Sequence, residues 1–388
     1  MRSLRVALIA LVILSCTAAP QPSPTVGIQT EALPDVEIRA LGTIHGDWAL
    51  VLRSASGYGG PDEGEIWAVP LGGGEAKRVV GWTGFGIGSY EALRLGLTVI
   101  SRQLAPDRHR IVLTVPKYPR GTFGGRLAII DLFSGQFAVL DTPNILMAWR
   151  PAWSPDGKRI AFDRYENTFW TGISVIGADN SGMRLLCDAT PERGLAAFQG
   201  CYGVDGWTPD ARGVRFYEVD GYSVIDADTG TITRFGVHGA SLVSADWRDA
   251  PTAVALGTID DTEQDLVTYD TRGSSRTVVG RTPRSGLGFF EPRWNPRSDD
   301  VLVRRGGELF VYGPSGPGRQ VAAVQCEVRG EWHPSGSEVV YLAPCLATGE
   351  LHIAGAGSGP RTDRVVWSPP AGGRTDWRTI DLAVVRYP

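Results

Sequence analysis

The residue types best suited to general acid–base catalysis or metal binding occur singly in this chain. The five histidines are spread over the whole sequence, at His45, His109, His238, His333 and His352. No two of them have the helical spacing of a metal site, and no cysteine pair has the spacing of a zinc site. The pentapeptide Gly-x-Ser-x-Gly of a nucleophile elbow is also absent. The sequence therefore identifies no catalytic residue, and we predict no cofactor.

Acidic turns are the next candidates, because carboxylate and amide oxygens are what calcium prefers. Three segments offer such donors: ADNSG from 178, DADTG from 226 and DDTEQD from 260. None matches a complete calcium loop, and the first two are tight turns in which Asp, Asn and Gly are favoured for backbone reasons alone. His333, in WHPSG, occupies a turn position that other copies of the motif fill with Ser, Thr, Arg or Asn. We interpret it as a surface turn residue and predict no metal site.

The remaining reactive side chains are cysteines. Four of them follow Cys16, at Cys187, Cys201, Cys326 and Cys345. An even number in an exported protein suggests disulfides, and short loops favour pairing Cys187 with Cys201 and Cys326 with Cys345 among three connectivities. The alternative is that they are buried free thiols.

The N-terminus indicates export. Arg2 and Arg5 precede the apolar run VALIALVIL, which is too short to span a bilayer comfortably and predicts a signal peptide over 1–15. The run ends in ILSC, which resembles a bacterial lipoprotein signal and implies cleavage before Cys16 with lipid attached to that cysteine. An ordinary cleavage near AAP, with Cys16 discarded, is the alternative. Residues 16–35, rich in Pro, Ser, Thr and Gln, are expected to form a flexible tether.

Composition limits the partners. The formal net charge is -4 and no basic stripe occurs, so we exclude nucleic acid as the expected partner. No later apolar run is long enough to span a membrane. We predict one domain over 36–388, present as a monomer.

That domain is built from a repeat whose best copy is PAWSPDGKRIAFDR, from Pro151 to Arg164. It indicates a strand ending in Trp, a tight turn SPDG, and a second strand. The aromatic recurs at Trp153, Trp207, Trp247, Trp294, Trp332 and Trp377, at spacings of 54, 40, 47, 38 and 45 residues. Seven third strands, from GEIWAVPL to GELHIAG, are each followed by a Gly- or Asp-rich turn.

A four-stranded unit that repeats every 40 to 50 residues is the signature of propeller blades. We predict an all-β fold: a seven-bladed β-propeller of four-stranded antiparallel blades, with six or eight blades as alternatives. The C-terminal segment, from Asp376 to Tyr387, is expected to pair with the first blade and close the ring. In this interpretation the repeated Trp and PDG serve blade packing and hairpin closure.

The segment WSPDGKRIAF resembles the TolB-like, PD40-type propeller repeat, a relative of WD40 repeats in bacterial periplasmic and surface proteins. The resemblance covers about nine tenths of the mature chain if weak copies are counted. It implies a propeller and often protein interaction, but no particular substrate.

The loops supply a positional hint. Short turns are expected on one face, and the opposite face is expected to carry long loops rich in aromatic residues and glycine, among them DRYENTFWTG from 163 to 172. If this face is a site, its candidate residues are Tyr58, Tyr118, Phe123, Arg164, Tyr165, Phe169, Trp170, Phe198 and Tyr202. These aromatic rings could instead pack down over neighbouring blades.

Two functions remain open. The favoured one is a membrane-anchored extracytoplasmic propeller without chemistry, which binds a protein, peptide or glycan through its long-loop face. The alternative is an enzyme of polysaccharide lyase or hydrolase type, with polar residues converging on the central channel. Three or more His, Asp or Glu in metal-binding reach at the channel would favour the enzyme. An axis lined by small and apolar groups would exclude it.

Overall fold

The computed structural model describes residues 36–55, 63–83, 100–116, 125–166, 169–188, 201–218, 221–235, 241–249, 252–258, 263–270, 276–283, 289–325, 328–343, 349–357, 362–370 and 379–388. Almost all regular structure in these ranges is β-strand. In the same ranges no helix has the length and apolar character needed to cross a membrane.

The strands of the described ranges follow in chain order, together with the one short helix that these ranges contain. The chain begins with β1 (Val36–Ile38), β2 (Gly46–Ala55), β3 (Glu63–Pro70), β4 (Lys77–Thr83), α1 (Ile100–Gln103), β5 (Arg110–Pro116), β6 (Gly125–Asp131) and β7 (Phe137–Val139). It continues with β8 (Met147–Trp153), β9 (Arg159–Glu166), β10 (Phe169–Gly177), β11 (Arg184–Asp188), β12 (Tyr202–Trp207), β13 (Gly213–Glu218), β14 (Gly221–Asp226), β15 (Ile232–Phe235), β16 (Ser241–Trp247), β17 (Thr252–Thr258), β18 (Glu263–Asp270) and β19 (Arg276–Pro283). It ends with β20 (Phe289–Trp294), β21 (Val301–Arg305), β22 (Glu308–Tyr312), β23 (Arg319–Ala323), β24 (Arg329–Trp332), β25 (Glu338–Ala343), β26 (Glu350–Gly355), β27 (Asp363–Trp367) and β28 (Thr379–Tyr387).

These strands form six sheets, which we number along the chain. Sheet 1 has the order β1-β4-β3-β2-β28, and sheet 2 contains β5 to β11. Sheets 3 to 6 are four-stranded and contain β12–β15, β16–β19, β20–β23 and β24–β27, each in sequential order. Neighbouring strands in sheets 3 to 6 are antiparallel. The fold is therefore an all-β propeller with four-stranded antiparallel blades, as the repeat predicted.

The blade count differs from the prediction. Five sheets have the form of one blade each, rather than seven, and the segments expected to form the second and third blades share sheet 2. They share it because β6 and β8 are joined by one parallel pair, Gly125 with Met147. The segment before Leu104 also departs from the repeat, because it is the helix α1 and not a strand. Leu104, which follows the helix, forms an isolated β-bridge with Ile111.

The C-terminal strand pairs with the first sheet, as predicted. β28 lies antiparallel to β2 from Gly46 opposite Tyr387 to Ser54 opposite Thr379. It buries Leu382, and in the same cluster Val340 of sheet 6 packs beside Val51 of sheet 1. The last sheet is thus in apolar contact with the first.

The other neighbouring sheets pack in the same way. One apolar cluster joins the strands β5 and β6 to sheet 1, and another joins them to β8–β10. Further clusters join sheet 2 to sheet 3, sheet 3 to sheet 4, sheet 4 to sheet 5 and sheet 5 to sheet 6. Each sheet therefore covers the apolar face that its neighbour could not bury alone.

The sequence repeat has the structural roles expected of it. In the turn after Trp153, Ser154 Oγ accepts the amide of Arg159 at 2.9 Å, and Gly157 has a φ of 70°, which suits glycine. The repeated tryptophan joins neighbouring units: Trp207 Nε1 donates to the carbonyl of Ala152 at 2.9 Å. The face with these turns is called the short-turn face below, and the opposite one the long-loop face.

Candidate functional site

The propeller axis is lined by the first element of each unit. β8 contacts β12, β16 contacts β20, β20 contacts β24, and β24 contacts β28, while α1 lies against both β28 and β8. Side chains that project inward from these elements meet those of neighbouring sheets. Many of them are charged, and we treat this group as the axial charge network.

Asp205, on β12, is a centre of the network. Its carboxylate forms an ion pair with Arg102 of α1 and accepts a hydrogen bond from the hydroxyl of Tyr222. Arg215 donates to the backbone carbonyl of Asp205 at 3.3 Å. Asp205 and Tyr222 are fully buried, so this cluster bonds sheet 3 to α1 in a setting that excludes solvent.

A second pair links sheets 5 and 6. Arg293 Nε lies 3.1 Å from Glu331 Oε1, and both side chains are largely buried. Burial raises the pKa of Glu331 to about 7 against the attraction of Arg293, and the nearby carboxylates of Asp381 and Asp246 raise it further. The pKa of Glu331 therefore lies closer to neutral pH than that of an exposed glutamate.

Glu291 and Arg150 project from β-bulges in their inner strands. The register of β20 shifts between Phe290 and Arg293, and that of β8 shifts between Trp149 and Ala152. Glu291 has a φ of 51° and Arg150 a φ of 47°, a conformation that costs a residue with a Cβ about 1–2 kcal/mol. Bulges of this kind re-aim a side chain.

The partners of these two residues are also charged. Glu291 pairs with Arg329 of β24 and lies 3.7 Å from Arg304 of β21. Arg150 Nε lies 3.6 Å from Asp163 Oδ2. Each strained bulge thus supplies a charged side chain to an ion pair. Glu291 forms two such pairs, one with sheet 5 and one with sheet 6.

Asp163, on β9, is buried completely and connects sheet 2 to sheet 3. Its Oδ1 accepts the amides of Gly203 at 3.0 Å and Val204 at 3.1 Å. Burial raises the pKa of Asp163 to about 6, although Arg150 and the two amides favour the charged form. Asp381 Oδ2 of β28 in turn accepts the amide of Ile100, the first residue of α1, at 2.7 Å.

The axial charge network bears on the choice between a binding module and an enzyme of lyase or hydrolase type. The axis is lined by charged groups, so it is not the small and apolar axis that would exclude an enzyme. Among the residues the structure describes, no three His, Cys, Asp or Glu side chains are grouped to hold a metal ion. The axial carboxylates instead bind arginines, hydroxyls and backbone amides of neighbouring elements.

Sequence reasoning missed this network, although a signal was present. Every inner strand that ends in a repeated tryptophan at the axis carries a charged residue one to three positions before it. These residues are Arg150, Asp205, Asp246, Arg293 and Glu331. Their types differ from copy to copy, so a search for one repeated residue does not find them.

The candidate residues on the long-loop face are described only in part. Arg164 and Tyr165 lie at the end of β9, while Phe169 and Trp170 begin β10 and Tyr202 begins β12. The side chains of Phe169, Trp170 and Tyr202 lie outside what is described. The same is true of the whole of four other candidates: Tyr58, Tyr118, Phe123 and Phe198.

The segment from 163 to 172 corrects an expectation. We expected a long loop, but β9 continues to Glu166, and β10 begins at Phe169, which pairs with Glu166. Trp170 lies opposite Tyr165, and the register shifts before Gly172, which lies opposite Arg164. The ring of Tyr165 lies 6.0 Å from that of Trp149, and Arg164 pairs with Glu166. A hairpin therefore presents these residues.

One predicted disulfide is present. Cys187, on β11, is bonded to Cys201, next to β12, with their Cα atoms 6.1 Å apart. The bond links the outer strand of sheet 2 to the start of sheet 3 and brackets 188–200. Cys326, Cys345 and the proposed lipid attachment site Cys16 lie outside the described residues.

Two cavities formed by described residues lie on the short-turn face. One, of about 620 Å³, lies between Trp247 and Trp294. The other, of about 1070 Å³, is lined by acidic and basic side chains, including Asp107, Asp156, Arg110 and Arg159. In the first, the guanidinium of Arg248 lies 4.9 Å from the ring of Trp294 and covers the face that a ligand would need.

Comparison with known proteins identifies the fold. No protein-family model matches the chain, and no curated protein matches it. An oligogalacturonate lyase from Vibrio parahaemolyticus is similar over 84% of this chain and 97% of that chain, at 9% identity and a TM-score of 0.56. An oligogalacturonate lyase in complex with manganese is similar over 82% of this chain and 99% of that chain, at 12% identity and a TM-score of 0.56.

The chain has the β-propeller fold. TolB proteins are also among its structural neighbours: TolB from Acinetobacter baumannii is similar over 87% of this chain, at 17% identity and a TM-score of 0.43. The chain spans 66% of the length of that TolB chain. At these identities the propeller neighbours share a fold with this chain, and function has to be argued from its own residues.

Proposed function

We propose that this chain is a rigid binding module, a seven-bladed propeller that is exported and held at a membrane by lipid on Cys16. In this proposal it has no chemistry of its own and binds a protein, peptide or glycan through its long-loop face. Sheet 2 then counts as two blades, because its two parts are joined by one parallel residue pair. In this proposal the ring closes at sheet 1, which the pairing of β28 with β2 supports.

The observation that carries this proposal is the bonding of the axial charges to one another. Ion pairs connect α1 to sheet 3 and sheet 5 to sheet 6, and Asp163 connects sheet 2 to sheet 3. In this proposal the buried ion pairs serve to fix the relative positions of the sheets more than to add stability. A scaffold fixed in this way presents its loops in constant positions, which suits recognition.

The hairpin of β9 and β10 gives the binding surface a defined starting point. Tyr165 packs on Trp149 near the tip of the hairpin, and the Arg164 side chain is held by Glu166. Aromatic residues and arginine held in fixed positions are typical anchors of binding surfaces. The disulfide between Cys187 and Cys201 fixes both ends of the neighbouring connection.

In-cell photocrosslinking tests the proposal. A photoreactive residue replaces Tyr165 in the full-length chain, and a matched one replaces Lys158, which is exposed on the short-turn face. We expect a discrete crosslinked product, identified by mass spectrometry, from position 165 and none from position 158. Equal capture from both positions, or capture from 158 alone, would contradict the choice of face.

The anchor has a separate test. In Cys16→Ala the lipid attachment site is lost, so we expect the protein to leave the membrane fraction of cells and appear in the soluble extracytoplasmic fraction. If the variant stays in the membrane fraction, the lipoprotein proposal is wrong.

The lyase alternative has its own support. The two lyase structures match over nearly their whole length, and the axis of this chain carries arginines and carboxylates. The test is incubation of the purified chain with oligogalacturonate, with and without manganese, followed by ultraviolet absorbance of unsaturated product. Product formation that Arg293→Met abolishes would replace the binding proposal with the enzyme.

A further inference from the structure

An ionic cluster joins the last sheet to the first on the short-turn face. Arg386 of β28 donates to both carboxylate oxygens of Asp47 at the start of β2, at 2.7 and 2.8 Å. His333, in the turn that follows β24, places Nε2 3.3 Å from Asp47 Oδ2. The imidazole and the carboxylate are both mostly buried. A titratable side chain of sheet 6 therefore touches a carboxylate of sheet 1.

His333 reaches Asp47 because it fills a turn position with a larger group than its counterparts. In the equivalent turns, Ser154 Oγ accepts an amide at 2.9 Å and Thr208 Oγ1 accepts one at 2.8 Å. His333 Nδ1 instead accepts the amide two residues later, that of Ser335 at 3.2 Å, as Asn295 Oδ1 accepts that of Arg297 at 2.8 Å. Because the imidazole has a second nitrogen, it closes the turn and still contacts the neighbouring sheet.

Other contacts between units on this face use groups that keep one charge state from about pH 5 to 8. Arg159 pairs with Asp228, Arg248 pairs with Asp299, and Asn295 Nδ2 donates to the carbonyl of Gly336 at 2.9 Å. Histidine is the side chain that ordinarily changes charge in that interval. The contact between His333 and Asp47, which joins the last sheet to the first, differs from these contacts because it includes a histidine.

We propose that His333 and Asp47 form a proton-operated latch, which holds the last sheet more tightly to the first as the pH falls. Protonated His333 faces Asp47 across the junction and Glu338, whose Oε2 lies 3.9 Å from Nδ1. The protonated Nδ1 donates to Ser335 Oγ at 2.8 Å in place of accepting the amide. The cations nearby are Arg386, bound to Asp47, and Arg297, which donates to the carbonyl of Pro334.

The charge of Asp47 is present throughout this interval. The hydrogen bond from Arg386 and the charge of His333 hold the pKa of Asp47 below its usual value, although partial burial opposes them. Protonation of His333 therefore adds an ion pair in the folded protein that the unfolded chain lacks. This ion pair is present where the histidine is charged and is absent where it is neutral.

Hydrogen exchange measured by mass spectrometry tests the latch on the full-length chain. Protection of the peptides that contain β2 and β28 is compared at about pH 5.5 and about pH 7.5, after correction for intrinsic exchange. Protection of β13 and β14 in the same sample serves as the reference for pH effects elsewhere. We expect the wild-type ratio of junction to reference protection to be roughly threefold higher at the lower pH.

The matched variant is His333→Asn, because Asn295 fills the equivalent turn position of sheet 5 and bonds across to sheet 6. We expect this variant to lose the dependence of the ratio on pH, and Asp47→Asn to lose it as well. If His333→Asn keeps the wild-type ratio at both pH values, or if the wild-type ratio is constant, the proposal is wrong. Should one variant fail to fold, the other still decides the outcome.

Discussion

Trp332 of sheet 6 donates its indole N–H to the backbone carbonyl of Arg293 in sheet 5, at a distance of 3.0 Å. Trp207 makes the equivalent bond from sheet 3 to Ala152 in sheet 2. The tryptophan that identifies the repeat in sequence therefore also forms a hydrogen bond between inner strands. The bond is not made by every copy, because the buried indole nitrogens of Trp153 and Trp294 have no hydrogen-bond partner in the described part of the chain.

Removal of that indole N–H tests the role of the repeated tryptophan. Trp332→Phe keeps most of the ring but leaves the buried carbonyl of Arg293 without this donor, so we expect the free energy of unfolding to fall by about 1 kcal/mol. Trp332→Ala also removes buried ring area and is expected to cost about 3–5 kcal/mol. Urea unfolding measures both changes.

Trp67→Phe is the control for that substitution. The Trp67 indole nitrogen is buried and makes no hydrogen bond within the described part of the chain. We expect Trp67→Phe to cost less than Trp332→Phe. Equal costs would show that ring packing accounts for the repeated tryptophan and that the bond contributes little.

The raised pKa of Glu331 predicts a pH dependence with a definite sign. In the unfolded chain the carboxyl ionises near 4.5, whereas in the folded protein burial raises its pKa to about 7. Between these values the folded state binds more protons than the unfolded state, so the free energy of unfolding falls as pH rises from about 4.5 to 7. We expect Glu331→Gln to have a shallower fall, since glutamine does not ionise.

The measurement is urea unfolding at several pH values across that interval. Glu75→Gln, in an exposed turn of sheet 1, is the matched substitution. A slope for Glu331→Gln that equals the wild-type slope would mean that Glu331 is ionised throughout.

The Cys187–Cys201 disulfide closes a loop with a sequence separation of 14 residues. In the chain-entropy account, loss of a cross-link of this size costs roughly 3 kcal/mol. We expect Cys187→Ser with Cys201→Ser to lower the free energy of unfolding by that amount in urea. A reducing agent should destabilise the wild-type protein without changing the double variant, provided that Cys326 and Cys345 are unpaired.

That proviso is itself a test of the second predicted disulfide. Thiol titration of the unfolded double variant, without reductant, should detect neither Cys326 nor Cys345 if the two are bonded as predicted. Two free thiols from these residues would establish the alternative.

The C-terminal strand is expected to be essential for folding. β28 is the innermost strand of sheet 1, and its buried Leu382 and Val385 each contribute about 1.5–3 kcal/mol. Deletion of 379–388 also exposes the edge of β2. We expect the shortened chain to aggregate or to lose its cooperative unfolding transition, as measured by size-exclusion chromatography and circular dichroism.

Deletion of residues 1–38 is the matched control. It removes β1, an outer three-residue strand whose Val36 and Ile38 are only partly buried. We expect that chain to fold. A folded monomer without 379–388 would contradict the role assigned to β28.

The sequence by itself determined the repeat and therefore the fold. Hairpin turns such as Ser154–Gly157 have their chemistry within a few adjacent residues, and the tryptophans recur at blade spacing, so local information was sufficient. The pairing of the C-terminal segment with the first sheet also followed, because a propeller needs its first and last units to meet. The Cys187–Cys201 bond followed from the shortness of its loop.

Only the tertiary structure decided which charges meet. Arg102 and Asp205 are 103 positions apart, and His333 and Asp47 belong to opposite ends of the chain, so no local pattern links them. The one parallel pair that joins β6 to β8, and the hairpin in place of a loop at 163–172, likewise depend on registers set by packing. Which distant charges form ion pairs depends on which strands the ring places next to each other. The repeat predicts that neighbouring blades pack together, but it does not predict these pairs.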